Sequence, residues 1–129
     1  MKQYLLDTNV LLRFLLNDNE AQATQAEAVF RQAQHAEVSI SIPLLVIVET
    51  VFALTKLYRF SKSEVIAKLL PIVEHPFLDI EKRTILIHGF ILYRDSSISL
   101  IDALLKSQAD LEGKTLMTFD KKIKKKSRK

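Results

Sequence analysis

The chain has 129 residues, enough for one domain with a real core, and its 48% hydrophobic and 26% charged residues are ordinary globular usage. It has no Cys, which excludes disulfides, thiolate metal sites and cysteine nucleophiles; its glycines are Gly89 and Gly113 alone, which excludes phosphate-cradling glycine loops. The net charge of +4 hides an asymmetry: residues 121–129 hold seven Lys or Arg, and without them 12 basic residues face 15 acidic ones. Such a basic block is expected to be a solvated arm, or one drawn to phosphates by charge. The apolar stretches at 10–16 and 40–54 are broken by Arg13 and Glu49 and fall short of the ~20 residues that span a bilayer. The N-terminus shows no signal-peptide cleavage pattern, so no membrane partner and a cytoplasmic location are expected.

The predicted elements alternate along the chain. Residues 3–6 read as a short strand ending at Asp7-Thr8-Asn9, and 10–16 as a helix stopped by Asn17-Asp18-Asn19. Residues 20–36 are amphipathic, with Ala26, Val29, Phe30 and Ala33 at helical spacing. Residues 37–42 alternate as a strand with Val38, Ile40 and Ile42 on one face, and Pro43 opens a helix running to about Tyr58. Ser61 with Glu64 is a capping-box pattern for the next helix, which Pro71 is expected to kink. A short strand at 77–80, a helix at 81–93 and a loop at 95–98 follow. Ser99 with Asp102 opens a further helix that ends at Gly113, and 115–119 reads as a last apolar strand. The pattern implies a parallel sheet: an α/β chain forming a single three-layer α/β/α domain over residues 1–120, with four or five strands, followed by the basic tail at 121–129.

In open parallel sheets, sites form at the carboxyl ends of the strands. Asp7 ends the first predicted strand and Asp120 the last. Glu49 lies in the helix leaving the second strand, and Asp102 in the first turn of the helix feeding the last. All four belong to one rim by topology. Each also has a structural reading: Asp7 as a turn residue, Asp102 and Asp120 as caps, Glu49 as half of a salt bridge. Glu49 is the strongest candidate, because a lone carboxylate in a helix apolar nearly all round is expected to be buried and in need of a partner. Two carboxylates ~4 Å apart repel by roughly 4 kcal/mol at an effective dielectric of about 20, so a tight acidic cluster needs a cation. Oxygen-only ligation favours Mg²⁺ or Mn²⁺, and the natural chemistry of such an ion is phosphodiester hydrolysis. His35, His75 and His88 form no paired ligand motif.

Asp7-Thr8-Asn9-Val10-Leu11 after an opening strand resembles the signature of the PIN-domain nucleases. Glu49 in Val46-Ile47-Val48-Glu49, Asp102 in Ile101-Asp102-Ala103-Leu104-Leu105 and the closing Thr118-Phe119-Asp120 agree with that family in order and spacing. In size the chain is most similar to the VapC-type toxins of toxin–antitoxin pairs. The resemblance implies a Mg²⁺- or Mn²⁺-dependent ribonuclease acting on an RNA substrate. Asp7, Glu49, Asp102 and Asp120 would form its metal site and catalytic set. Thr8 and Asn9 would support Asp7, and Thr118 would hydrogen-bond within the site. It also implies a homodimer and a cognate VapB-like antitoxin. Family members continue past the last Asp into a further short strand, where this chain has Lys and Arg, so a fifth strand is left open. The competing expectation is a nucleic-acid-binding module with a basic tail and no catalytic activity.

Overall fold

The computed structural model describes residues 1–126. Its elements are β1 (Lys2–Leu5), α1 (Thr8–Leu16), α2 (Glu20–Gln34), β2 (Val38–Ile42), α3 (Leu44–Phe52), a π-helical turn (Ala53–Leu57), α4 (Lys62–Glu74), β3 (Asp79–Ile80), α5 (Arg83–Asp95), α6 (Leu100–Glu112) and α7 (Lys121–Lys126). The sheet is parallel in the order β1-β2-β3, with Tyr4 opposite Ile40 and Ile42 opposite Ile80. The α/β class and the parallel sheet agree with expectation; the strand count does not, because three strands form among the described residues rather than four or five.

The segment 115–119 accounts for the difference. It takes no place in the sheet, and Met117 and Phe119 are 82% and 89% exposed. An apolar run becomes a strand only when a neighbouring strand takes up its N–H and C=O groups. The beginning of the basic tail also differs from a free arm. Residues 121–126 form α7, and the buried Ile123 packs with Ile98 and Ala103. The rest of the tail, 127–129, lies outside the described residues.

Local chemistry explains the helix boundaries. Asn19 caps α2, accepting from Gln22 N–H at 3.1 Å, and Asn17 in the left-handed region ends α1. Ser61 and Glu64 form a complete capping box on α4, which runs through Pro71 as one helix. Gly113, at φ 68°, closes α6, a conformation in which a Cβ would be strained. Gly89 has a different role, since a Cβ there would stand 2.5 Å from Leu104 Cδ2; its absence lets α5 and α6 approach closely.

The core joins the sheet to the helices around it: Ile40 and Ile42 of β2, Leu11, Ile47, Val51, Leu54, Val65, Leu69, Leu86 and Phe90 are all buried. Arg83 knits the turn before β3, donating to the carbonyls of Val73 (2.6 Å), His75 (2.9 Å) and Leu78. Three buried residues are polar, Thr50, Lys106 and Ser107, and one of them is charged. Lys106 of α6 is 0% exposed, and its ammonium is paired with the Asp110 carboxylate one turn on. Removing one partner of such a pair strands a charge, whereas an apolar replacement of the buried member removes the desolvation cost. Lys106→Met should therefore leave stability unchanged or raise it by about 1–2 kcal/mol, and Asp110→Ala should lower it by about 2–4 kcal/mol, read by urea unfolding.

Candidate active site

The site begins where β1 gives way to α1. Asp7 is extended (φ −96°, ψ 169°), and its Oδ1 accepts from Val10 N–H at 3.1 Å, capping α1. Its turn-residue reading is thus correct as far as one oxygen goes, and the cap fixes the carboxyl at the carboxyl end of the strand. Thr8 is the first residue of α1, and its hydroxyl donates to Glu49 Oε1 of α3. That bond joins chain positions 41 residues apart and ties the two helices together at the rim of the sheet.

Glu49 is aimed by its own helix. Pro43 provides no side-chain cap for α3. The cap comes instead from Glu81, just after β3, whose Oε1 accepts from Leu44 N–H at 2.8 Å. An acidic group at a helix N-terminus is favourable on charge as well as on hydrogen bonding. One expectation about Glu49 is corrected here: it is exposed, not buried, as are Leu45 and Phe52 on the same helix. Its partner is the Thr8 hydroxyl rather than a basic residue.

Asp7, Thr8, Asn9 and Glu49 line one open cleft of about 560 Å³, together with Leu12, Val46, Phe52, Ala53, Lys56 and Leu57. The π turn forms the far wall. Thr55 Oγ1 donates back to the carbonyls of Val51 (2.9 Å) and Phe52 (3.2 Å), taking up helix acceptors, and the i→i−5 bond from Tyr58 N–H to the Ala53 carbonyl (3.2 Å) marks the wider winding. Lys56, the one basic residue of the lining, comes from this turn. Sequence reading missed it; the nearest signal was its place seven residues after Glu49, two turns on along one helical face.

The other two acids lie elsewhere. Asp102 is half-buried in the first turn of α6, where its N–H donates to Ser99 Oγ at 3.1 Å. Asp120 is exposed, and its Oδ1 accepts from Lys122 N–H at 2.9 Å, capping α7. Thr118 supports that cap, its Oγ1 accepting from Asp120 N–H at 3.1 Å. Neither acid lines the Asp7–Glu49 cleft, and among the described residues no three Asp, Glu or His side chains come close enough to hold a metal together. The rim argument for Asp102 and Asp120 depended on a last strand at 115–119, which does not join the sheet among the described residues. Asp95, outside the predicted set, ends α5; the Arg94 guanidinium hydrogen-bonded to it at 2.8 Å holds its carboxyl below the usual carboxylate range.

The cleft fits a hard cation. Its oxygen ligands are the carboxylates of Asp7 and Glu49, the Thr8 hydroxyl and the Asn9 amide, with no sulfur or imidazole in the lining. Mg²⁺ is commonly bound by one or two carboxylates with open positions for water and phosphate oxygens. Asp7 and Glu49 each keep one carboxylate oxygen unused by the bonds just described.

The PIN domain family model matches residues 4–129. A protein named VapC ribonuclease from Aquifex aeolicus (strain VF5) is 26% identical over 122 residues, covering 94% of this chain and 90% of that protein.

Proposed function

Because the chain belongs to the PIN domain family, we propose that it is a divalent-metal-dependent endoribonuclease, the toxin of a type II toxin–antitoxin pair. The observation that carries this reading is the joint exposure of Asp7 and Glu49 in one cleft, with Thr8 fixing the second of them. The kinship with a protein named VapC ribonuclease supports RNA as the polymer that is cut. Asp7 and Glu49 would hold Mg²⁺ or Mn²⁺; Asp102 and Asp120, which lie outside this cleft, belong to the proposed acidic set only by their place in the family's motif order. When bound, the ion supplies positive charge against the negative charge that develops on a phosphodiester under attack. The chain's own residues do the positioning: the α1 cap sets Asp7, Thr8 sets Glu49, and Asn9 adds an amide at the cleft wall. Exposed Lys121 and Lys122 supply charge that draws RNA toward an otherwise acidic body.

The same reading makes a second copy of the chain and a VapB-like antitoxin its protein partners, and the cytoplasm its location. Among the described residues no helix is long and apolar enough to cross a membrane. A divalent titration tests the activity. RNA cleavage should be absent in excess EDTA, return with Mg²⁺ or Mn²⁺, and leave defined oligonucleotide ends. Undiminished cleavage in EDTA overturns the metal; RNA binding with no cleavage under any divalent ion favours the binding module.

A further inference from the structure

The cleft has two chemically different ends. Asp7, Thr8 and Glu49 make one acidic end, and Phe52, Lys56 and Leu57 make the other. Burial does not explain the second group. Phe52 is 38% exposed and Leu57 77% exposed, and Lys56 makes no ion pair among the described residues. Lys56 does not neutralise Glu49 either: seven residues of helix separate them, about 10 Å along the axis at ~1.5 Å per residue. An aromatic face beside a cation, lining a groove that leads away from a pair of carboxylates, has the composition of a single-strand nucleic-acid groove. In such grooves bases stack on rings and phosphates meet cations.

We propose that the π-turn end of the cleft is a nucleotide subsite, in which the Phe52 ring stacks on a base of single-stranded RNA and the Lys56 ammonium binds a phosphate beside it. The inference deepens the ribonuclease reading and rests on it for the class of polymer. The subsite is built from the end of α3 and the π turn that follows it: Phe52 closes the helix, and Lys56 and Leu57 of the turn line the cleft with it. The strand would pass from the exposed apolar side of α3 toward Asp7 and Glu49. A duplex could not use the subsite, because its bases are already stacked on one another.

The test measures binding apart from cleavage. The full-length protein is titrated into a labelled single-stranded oligoribonucleotide in EDTA over a range of KCl. Lys56→Gln should flatten the slope of log K against log salt by about 0.7, the value of one phosphate contact on a single strand, and Lys56→Arg should restore it. Phe52→Leu, which keeps an apolar side chain but removes the ring, should weaken binding about 5- to 100-fold with little change in slope. Duplex RNA of the same sequence should respond to Lys56→Gln and Phe52→Leu far less. If both variants bind the single strand with the parent Kd and salt slope, or the parent binds none, the subsite is refuted. If they show the expected losses but the parent cuts nothing when Mg²⁺ or Mn²⁺ is added, the subsite stands and the nuclease reading fails. If the parent cuts and the variants bind like it, the nuclease reading stands and the subsite fails.

Discussion

Asp7→Asn should fold as the parent does and cut RNA about 10³-fold more slowly. Two roles meet in this carboxyl group, and the Asn variant separates them. As the cap of α1 it needs only an oxygen that accepts from Val10 N–H, and Asn caps helices about as well as Asp does. As a proposed ligand it needs its charge, and a divalent ion contributes several kcal/mol of charge stabilisation to the reaction. A loss of about 4 kcal/mol corresponds to a factor of about 10³. Asp7→Ala removes both functions, so it should show the same catalytic loss with a further ~1 kcal/mol of destabilisation, about 4 °C in Tm for a domain of this size. Single-turnover cleavage and thermal melting of the two variants read the two roles independently. An Asp7→Asn protein with a tenth or more of parent activity would show the residue to be a cap and nothing else.

Much of the fold was legible because its signals are local. Alternation in 37–42 placed β2, with Ile40 and Ile42 buried as the period requires. Asn17, Ser61, Ser99 and Gly113 marked helix ends through side-chain caps or a left-handed backbone and operate where expected, whereas Asn19, read as part of the stop of the first helix, caps the start of α2. The segment 115–119 was misread because it carries a strand's composition but no information about a partner. The π turn was invisible for a related reason. Residues 43–58 read as one continuous helix, and the change to i→i−5 bonding, as from Tyr58 N–H to the Ala53 carbonyl, is a feature that composition does not announce.

The candidate site was legible by halves. Asp7 and Glu49 share a cleft because β1 and β2 are adjacent and parallel, so the helices leaving them start from the same edge. Asp102 and Asp120 were assigned to that edge through a strand that does not form. Glu49 was chosen for a mistaken reason. Its apolar neighbours suggested burial, yet Leu45 and Phe52 face outward, so the apolar character of α3 reflects an exposed surface as well as a core. That distinction lies beyond hydropathy, which records what a residue prefers and not what covers it. The Thr8–Glu49 bond is a third case: the two residues were both singled out, but their contact spans too much sequence for any local pattern to reveal it.

That contact yields the second large effect. Glu49→Gln keeps the size of the side chain and its ability to accept from Thr8, and removes one of the two negative charges in the cleft. Cleavage should fall about 10²- to 10³-fold, and Mn²⁺ affinity measured directly should fall with it. Thr8→Val removes the donor and leaves the charge. A hydrogen bond to a charged group contributes about 1.5–3 kcal/mol, so this variant should lose about 10- to 100-fold by letting the carboxylate swing. Thr8→Ser, which retains the hydroxyl, should lose far less. The decisive comparison is the double variant. If Thr8 acts by orienting the Glu49 carboxylate, Thr8→Val should cost little once Glu49 is Gln, because the neutral amide no longer holds the ion that the orientation serves. Additive losses would mean that Thr8 meets the substrate on its own account. Stability separates orientation from simple packing: the bond is solvent-exposed, so neither single variant should lower the unfolding free energy by more than about 1 kcal/mol.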